Sequence, residues 1–280
     1  MEVIQYKAEM HEYSLGQRGE GKSIGLVPTM GALHGGHFSL IRRAREECDT
    51  VVVSIFVNPT QFAPGEDIDR YPRTLEADRL ACEKLGVDAL FVPPGDEVYP
   101  PGAETYVVQE RLAGVLEGAS RPAHFRGVLT VVLKLLNIVA PHVAYFGQKD
   151  YQQTVVTRRM VADLDVPVEV RVLPTVREPD GLAMSTRNQY LSPIEREQAV
   201  CLHESLQLCR ELFAAGERGA GKLKEAMHAR IAREPAAGID YVEIAKPDDL
   251  RPADPVEPGD VALAAVRIGD TRLIDNMILG

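Results

Sequence analysis

Ile24-Gly-Leu-Val-Pro-Thr-Met-Gly-Ala-Leu-His-Gly-Gly-His37 passes from a short apolar run, through a glycine-rich turn with two histidines, into a helix-length amphipathic segment. Ile24 to Pro28 reads as a buried strand and His37 to Cys48 as a helix. The residues between them, Thr29 to His37, then lie beyond the carboxyl end of a strand, where open parallel sheets collect their ligands.

The same alternation continues outward. Val51 to Val57, Ala89 to Val92, Val143 to Phe146 and Val168 to Leu173 read as further strands. Thr74 to Leu85, Val128 to Val139 and Asp150 to Leu164 read as helices, the first with Thr74 as N-cap and Gly86 as the left-handed residue that closes it. Strands alternating with helices predict an α/β fold, a Rossmann-like doubly wound parallel sheet, because right-handed crossovers place helices on both faces. The pattern changes near Pro174, where a polar, turn-rich stretch reads as an interdomain loop. The predicted division is 1–175 and 176–280, the second part a smaller C-terminal α+β lid domain. Within it Ser192, Pro193 and Glu195 form a helix start of capping-box type. Gly221 to Ile231 reads as a helix, Tyr241 to Ile244, Val261 to Ile268 and Arg272 to Leu279 as strands, and Gly269-Asp270 as a tight hairpin.

With 280 residues, 45% hydrophobic and 26% charged, the chain has the make-up of a folded globular protein of two unequal domains. A net charge of -10 argues against nucleic acid as a partner. The opening residues lack a secretory layout, and the most apolar stretch, Gly127 to Phe146, is interrupted by Lys134, Asn137 and Pro141. A cytoplasmic protein without membrane contact is the expectation. Cys48, Cys82, Cys201 and Cys209 fall at no metal-ligand spacing and read as reduced, buried side chains.

Three strand ends carry polar groups suited to one another. His34 and His37, three apart on a helical turn, flank Gly35 and Gly36, which let a ligand approach the backbone, and the free amides of the helix start favour an anion. This suits a triphosphate, with the imidazoles donating to phosphoryl oxygens. Taken alone, two polar residues at a helix start remain the plainer reading. Gly147-Gln148-Lys149-Asp150 offers a mobile cation and a carboxylate able to cap a helix or hold a ribose hydroxyl. Met184-Ser185-Thr186-Arg187 sits on the interdomain loop, where a hydroxyl and a guanidinium could clamp terminal phosphates. Asn58, Gln61 and Gln153 are neutral amides that can bind a carboxylate without tying it into an ion pair.

Six segments in order resemble the pantoate–β-alanine ligase family: Val27 to His37, Phe56-Val-Asn-Pro-Thr-Gln-Phe62, Tyr71-Pro-Arg-Thr74, Arg121-Pro-Ala-His-Phe125, Phe146 to Gln153 and Pro174 to Asn188. The resemblance implies a HIGH-type nucleotidyltransferase domain, a C-terminal lid and a homodimer. It also implies Mg2+ with ATP as cosubstrate, and condensation of pantoate with β-alanine through a pantoyl-adenylate, releasing AMP and pyrophosphate. It assigns Met30, Gly31, Ala32, Leu33, His34, Gly35, Gly36 and His37 to ATP, together with Gly147, Gln148, Lys149, Asp150, Val176, Met184, Ser185, Thr186 and Arg187. His34, His37 and Lys149 would be catalytic, and Gln61, Gln153 and Asn58 would form the pantoate and β-alanine pocket. Family members often carry Glu where this chain has Gly35. Two other readings compete: a nucleotidyltransferase for a phosphorylated substrate, which would want more arginine than the paired amides offer, and a silent nucleotide-sensing module, which would not need Lys149, Ser185 and Arg187.

Overall fold

The computed structural model describes all of residues 1–280. Strands β1 (Glu2–Ile4), β2 (Ile24–Thr29), β3 (Thr50–Ile55), β4 (Ala89–Phe91), β5 (Val143–Gly147) and β6 (Glu169–Leu173) form one parallel sheet in the order β1-β4-β3-β2-β5-β6. The chain builds outward from β2 through β3 and β4, then returns to place β5 on the other side of β2. Strand order therefore reverses between β2 and β5. The crevice that such a reversal opens lies beyond the ends of these two strands, so the glycine-rich histidine turn and Gly147 to Asp150 come to face one another.

Helices Gly35–Glu47 and Leu75–Lys84 pack Leu40, Ile41, Ala44 and Cys82 against Val27, Val51, Val53 and Leu90 on one face of the sheet. Helices His124–Val139 and Tyr151–Asp163 cover the other, burying Val128, Leu129, Val132, Leu136, Val156 and Met160. Each such aliphatic side chain contributes about 1.5–3 kcal/mol when fully withdrawn from water. The helix predicted from Val128 starts four residues earlier, at His124, because Phe125 and Gly127 are already buried in it. Gly127 is required there: a Cβ would lie 2.4 Å from the carbonyl oxygen of Thr60. Strand β1 and the helix Lys7–Gly19 precede the region where the alternation becomes readable; that helix buries only Met10 and Ser14, too few to leave a periodic signal.

Gly86 closes its helix at φ +73° as expected. Thr74 does not cap by the expected route: its hydroxyl donates to the Asp78 carboxylate at 3.1 Å and makes no bond to a helix amide. The Ser192–Glu195 capping box is present. The remaining strands, β7 (Ala237–Ala245), β8 (Val261–Ile268) and β9 (Thr271–Ile278), form a second, antiparallel sheet in sequence order. Helices Cys201–Ala214 and Ala220–Ile231 close its core of Leu202, Leu206, Phe213, Leu223, Ile244 and Val266. The stretch after Pro174 is more ordered than a loop. Arg177 bridges Ala183 in antiparallel fashion around a turn with Gly181 at φ +95°, and Thr186–Tyr190 forms a 3-10 helix. All four cysteines are free and buried. No helix is long and apolar enough to cross a membrane.

Candidate active site

A cavity of about 370 Å3 opens at the strand-order reversal, between the two sheets. Its floor begins at the turn after β2. Gly31 and Ala32 both take the left-handed conformation, at φ +84° and +49°. For Ala32 this is costly backbone, and Asp78 holds it. The buried Asp78 carboxylate accepts from the amides of Ala32 at 2.9 Å and Leu33 at 2.8 Å. The turn delivers the chain into helix Gly35–Glu47 with His34 as N-cap.

Both imidazoles are fixed by that cap. The Gly36 amide donates to His34 Nδ1 at 3.2 Å and the His34 amide to His37 Nδ1 at 3.3 Å. With both Nδ1 atoms accepting, each neutral ring carries its proton on Nε2. Burial, reinforced by the Lys149 ammonium, lowers the His34 pKa to about 4. Burial, with His34 as neighbour, lowers that of His37 to about 3. At neutral pH the pair are uncharged donors with ring centroids 4.1 Å apart. The plainer reading of these histidines, as capping residues, is thus true of one nitrogen on each ring and leaves the other free.

Across the crevice, a 3-10 turn, Gln148–Asp150, follows β5 directly. Lys149 Nζ lies 3.3 Å from Asp150 Oδ1. On the third wall Arg187 lies within 5.8 Å of the Tyr71 ring centroid, but its guanidinium fork is filled by Asp67, at 2.8 Å and 2.9 Å. Burial opposes the charge on Asp67, and Arg187 nonetheless keeps that carboxyl below the usual carboxylate range. The adjacent Glu66 takes both arms of Arg121 at 2.6 Å. Two consecutive acids of one loop therefore cover two arginines of the cavity.

The amides sit below the loop. Asn58 is 1% exposed, and its side chain is fully engaged: it donates to Gln61 Oε1 and to the Gly127 carbonyl, both at 3.1 Å, and accepts from Thr60. Gln61 is thereby held with its Nε2 3.0 Å from Met30 Sδ. Gln153 reaches the cavity wall from the first turn of its helix.

Met30, His34, Gly36, His37, Gly147, Lys149, Asp150, Val176, Met184, Ser185, Thr186, Arg187, Asn58, Gln61 and Gln153 all line this one cavity. Gly31, Ala32, Leu33, Gly35 and Gln148 do not. Gly31 to Leu33 have their amides turned to Thr29 and Asp78. Gln148 turns its amide to Asn276. At Gly35, Met184 fills the space a side chain would take: a Cβ would lie 2.6 Å from its sulfur. Motif and spacing do not single out Asp78, Glu66, Asp67 or Asn276. Asp78 carried a weak signal, an acid four residues after the N-cap Thr74. Asn276 carried none, since its partners lie 127 and 128 residues away.

The family model described as pantoate-beta-alanine ligase matches residues 2–278. A pantothenate synthetase of Pelotomaculum thermopropionicum is 56% identical over 273 residues, covering 98% of this chain and 97% of its own. That of Thermotoga petrophila is 54% identical over the whole of both chains. Among solved structures, pantothenate synthetase from Thermus thermophilus is 45% identical with a TM-score of 0.94, covering 99% of each chain. A pantoate-beta-alanine ligase from Francisella tularensis, complexed with beta-gamma ATP and beta-alanine, is 36% identical with a TM-score of 0.83, over 99% of this chain and 97% of that one. By sequence over its full length and by fold, this chain belongs to the pantoate-beta-alanine ligase family.

Proposed function

We propose that the chain condenses pantoate with β-alanine to pantothenate at the expense of ATP, by way of a pantoyl-adenylate. The observation that carries this is the placing of two neutral, Nε2-protonated histidines opposite a lysine, in a crevice that also holds the neutral amides Asn58, Gln61 and Gln153. In the first step the pantoate carboxylate attacks the α-phosphorus of ATP and pyrophosphate leaves. In the second the free amine of β-alanine attacks the activated carbonyl, and AMP leaves with the bonding pair of the C–O bond. His34, His37 and Lys149 supply preorganised donors to the oxygens that gain charge in the first step. Gln61 and Gln153 hold pantoate without neutralising its nucleophile, with Asn58 fixing Gln61. Met30, Gly36, Gly147, Asp150, Val176, Met184, Ser185, Thr186 and Arg187 form the nucleotide wall, and Gly31 to Leu33 with Gly35 and Gln148 shape it from behind.

Magnesium fits this site as a passenger of the nucleotide. No group of three or more acidic, histidine or cysteine side chains could hold an ion alone, and Glu66, Asp67 and Asp78 are committed to other partners. Asp150, whose charged partner is Lys149 at 3.3 Å, would be the carboxylate to share it with phosphate oxygens. When bound, the ion neutralises charge on the leaving pyrophosphate. The smaller C-terminal part, from about residue 176, acts in this reading as a lid over the 1–175 domain. The homodimer expected from the family resemblance is checked by light scattering on the eluted protein.

Product analysis tests the reaction class. With Mg-ATP, pantoate and β-alanine, the proposal expects AMP, pyrophosphate and pantothenate in equal amounts. ADP with inorganic phosphate would point to an acyl phosphate and overturn the adenylate.

A further inference from the structure

Strand β9 carries two adjacent polar residues that are nearly sealed from solvent, Asp275 at 3% exposure and Asn276 at 2%. Neighbours on a strand point to opposite faces, and each serves a different part of the cavity wall. Asn276 donates its amide to the carbonyls of Gln148 at 2.8 Å and Lys149 at 2.9 Å, and accepts from Gln148 Nε2 at 3.1 Å. Both of its N–H groups and its oxygen are used. On the opposite face Asp275 takes the fork of Arg177, at 2.5 Å and 3.0 Å. Arg177 belongs to the bridged turn in which the Met184 amide donates to the Val176 carbonyl. One strand of the C-terminal sheet thus grips two segments of the nucleotide wall at once.

We propose that Asn276 is a positioning residue for adenylyl transfer, acting through Lys149, while the Asp275–Arg177 pair anchors the strand that carries it. The proposal rests on the reading of Lys149 given above. Lysine reaches its target on a long flexible stem, and the one side-chain partner of Lys149 is Asp150 at 3.3 Å. The direction in which the stem leaves the backbone therefore decides where the ammonium can go. That direction belongs to the Gln148–Asp150 turn, and Asn276 holds two of its carbonyls. Were the C-terminal sheet to move away, the turn would lose this restraint.

The test compares Asn276→Ala, Asn276→Asp, Lys149→Ala and the double variant Asn276→Ala/Lys149→Ala in the full chain. Asn276→Asp keeps the shape and the acceptor but removes both donors. Measured are pyrophosphate release at saturating pantoate, the KM for pantoate, and thermal unfolding. Each Asn276 variant is expected to slow pyrophosphate release on the order of ten- to a hundredfold. The pantoate KM should stay within about twofold. Asn276→Ala should cost nothing further once Lys149 is gone, because both act through one group. If the two losses multiply, or if activity falls only in proportion to the folded fraction, Asn276 is structural and the proposal fails. If Lys149→Ala releases pyrophosphate at the parent rate while Asn276→Ala is slow, the lysine assignment fails first and takes the proposed route with it. Should Asn276→Ala not fold, Asn276→Asp alone and paired with Lys149→Ala carries the same comparison.

Discussion

The two halves of the catalytic crevice are supported in different ways. The histidine turn is held mainly from nearby in the chain, by Asp78 of the neighbouring helix 46 residues along, with the Thr186 hydroxyl donating to the Ala32 carbonyl at 3.2 Å. The lysine turn is held from the other sheet, by Asn276, 127 residues away. The histidine turn is thus braced largely by a group near it in the chain, whereas the turn that carries Lys149 is braced by a strand of the C-terminal sheet. If the C-terminal sheet closes over the nucleotide as proposed, seating it would also complete the restraint on Lys149.

Lys149→Ala tests the comparison most severely. It should leave the fold intact and cost roughly 3 to 4 kcal/mol of transition-state stabilisation, about a hundred- to a thousandfold in the first half-reaction. Single-turnover formation of the AMP ester is the readout, and a near-parental rate would remove Lys149 from the mechanism. Asp78→Ala attacks the other half. It strands two backbone amides in a left-handed turn and should lower stability by about 2 to 3 kcal/mol, read as a fall in the thermal midpoint together with slower adenylate formation. A slowed reaction without lost stability would show that Asp78 does more than brace the turn.

Asp67→Asn should act in the opposite sense. The Arg187 guanidinium is occupied by Asp67, so weakening that pair should free it for the phosphates and tighten ATP binding by roughly two- to tenfold. Weaker binding in a titration with a non-hydrolysable analogue would mean that Asp67 aims Arg187 at the phosphates.

Acid should bear on stability before it bears on chemistry. An unfolded chain protonates histidine near its ordinary pKa, whereas folded His34 resists until about 4 and His37 until about 3. Through that window the unfolded state binds more protons, so their contribution to stability is complete above about 6.5 and is lost as the pH falls toward 4 and 3. The first half-reaction, by contrast, should show no step near 6.5 in a pH–rate profile. A step there that disappears in His37→Gln would contradict the neutral-donor role.

Much of this site could be read from the chain because its parts lie in short contiguous segments at strand ends, where position and chemistry coincide. His34, His37, Lys149, Gln61 and Gln153 are legible as lining residues of one cavity for that reason. Element limits shifted by a few residues wherever burial extended past the apolar run, as at Phe125 and Gly127. The supports were harder to see. Asn58 reads as a ligand by residue type, yet its amide is engaged by the turn and the helix packed on it. Asp67 lies in an ordinary polar loop, and Asn276 in an ordinary strand. Their partners are distant in sequence, and a spacing rule has nothing to say about a hydrogen bond made across two sheets.

The proposed reaction turns on the pantoyl-adenylate, which can be trapped directly. Enzyme in excess over ATP labelled at the α-phosphate is mixed with magnesium and pantoate, without β-alanine, and quenched at intervals. Close to one equivalent of label should move into pantoyl-AMP as pyrophosphate appears, and a chase of β-alanine should convert it to AMP and pantothenate. Label that stays in ATP until β-alanine is added would contradict the adenylate.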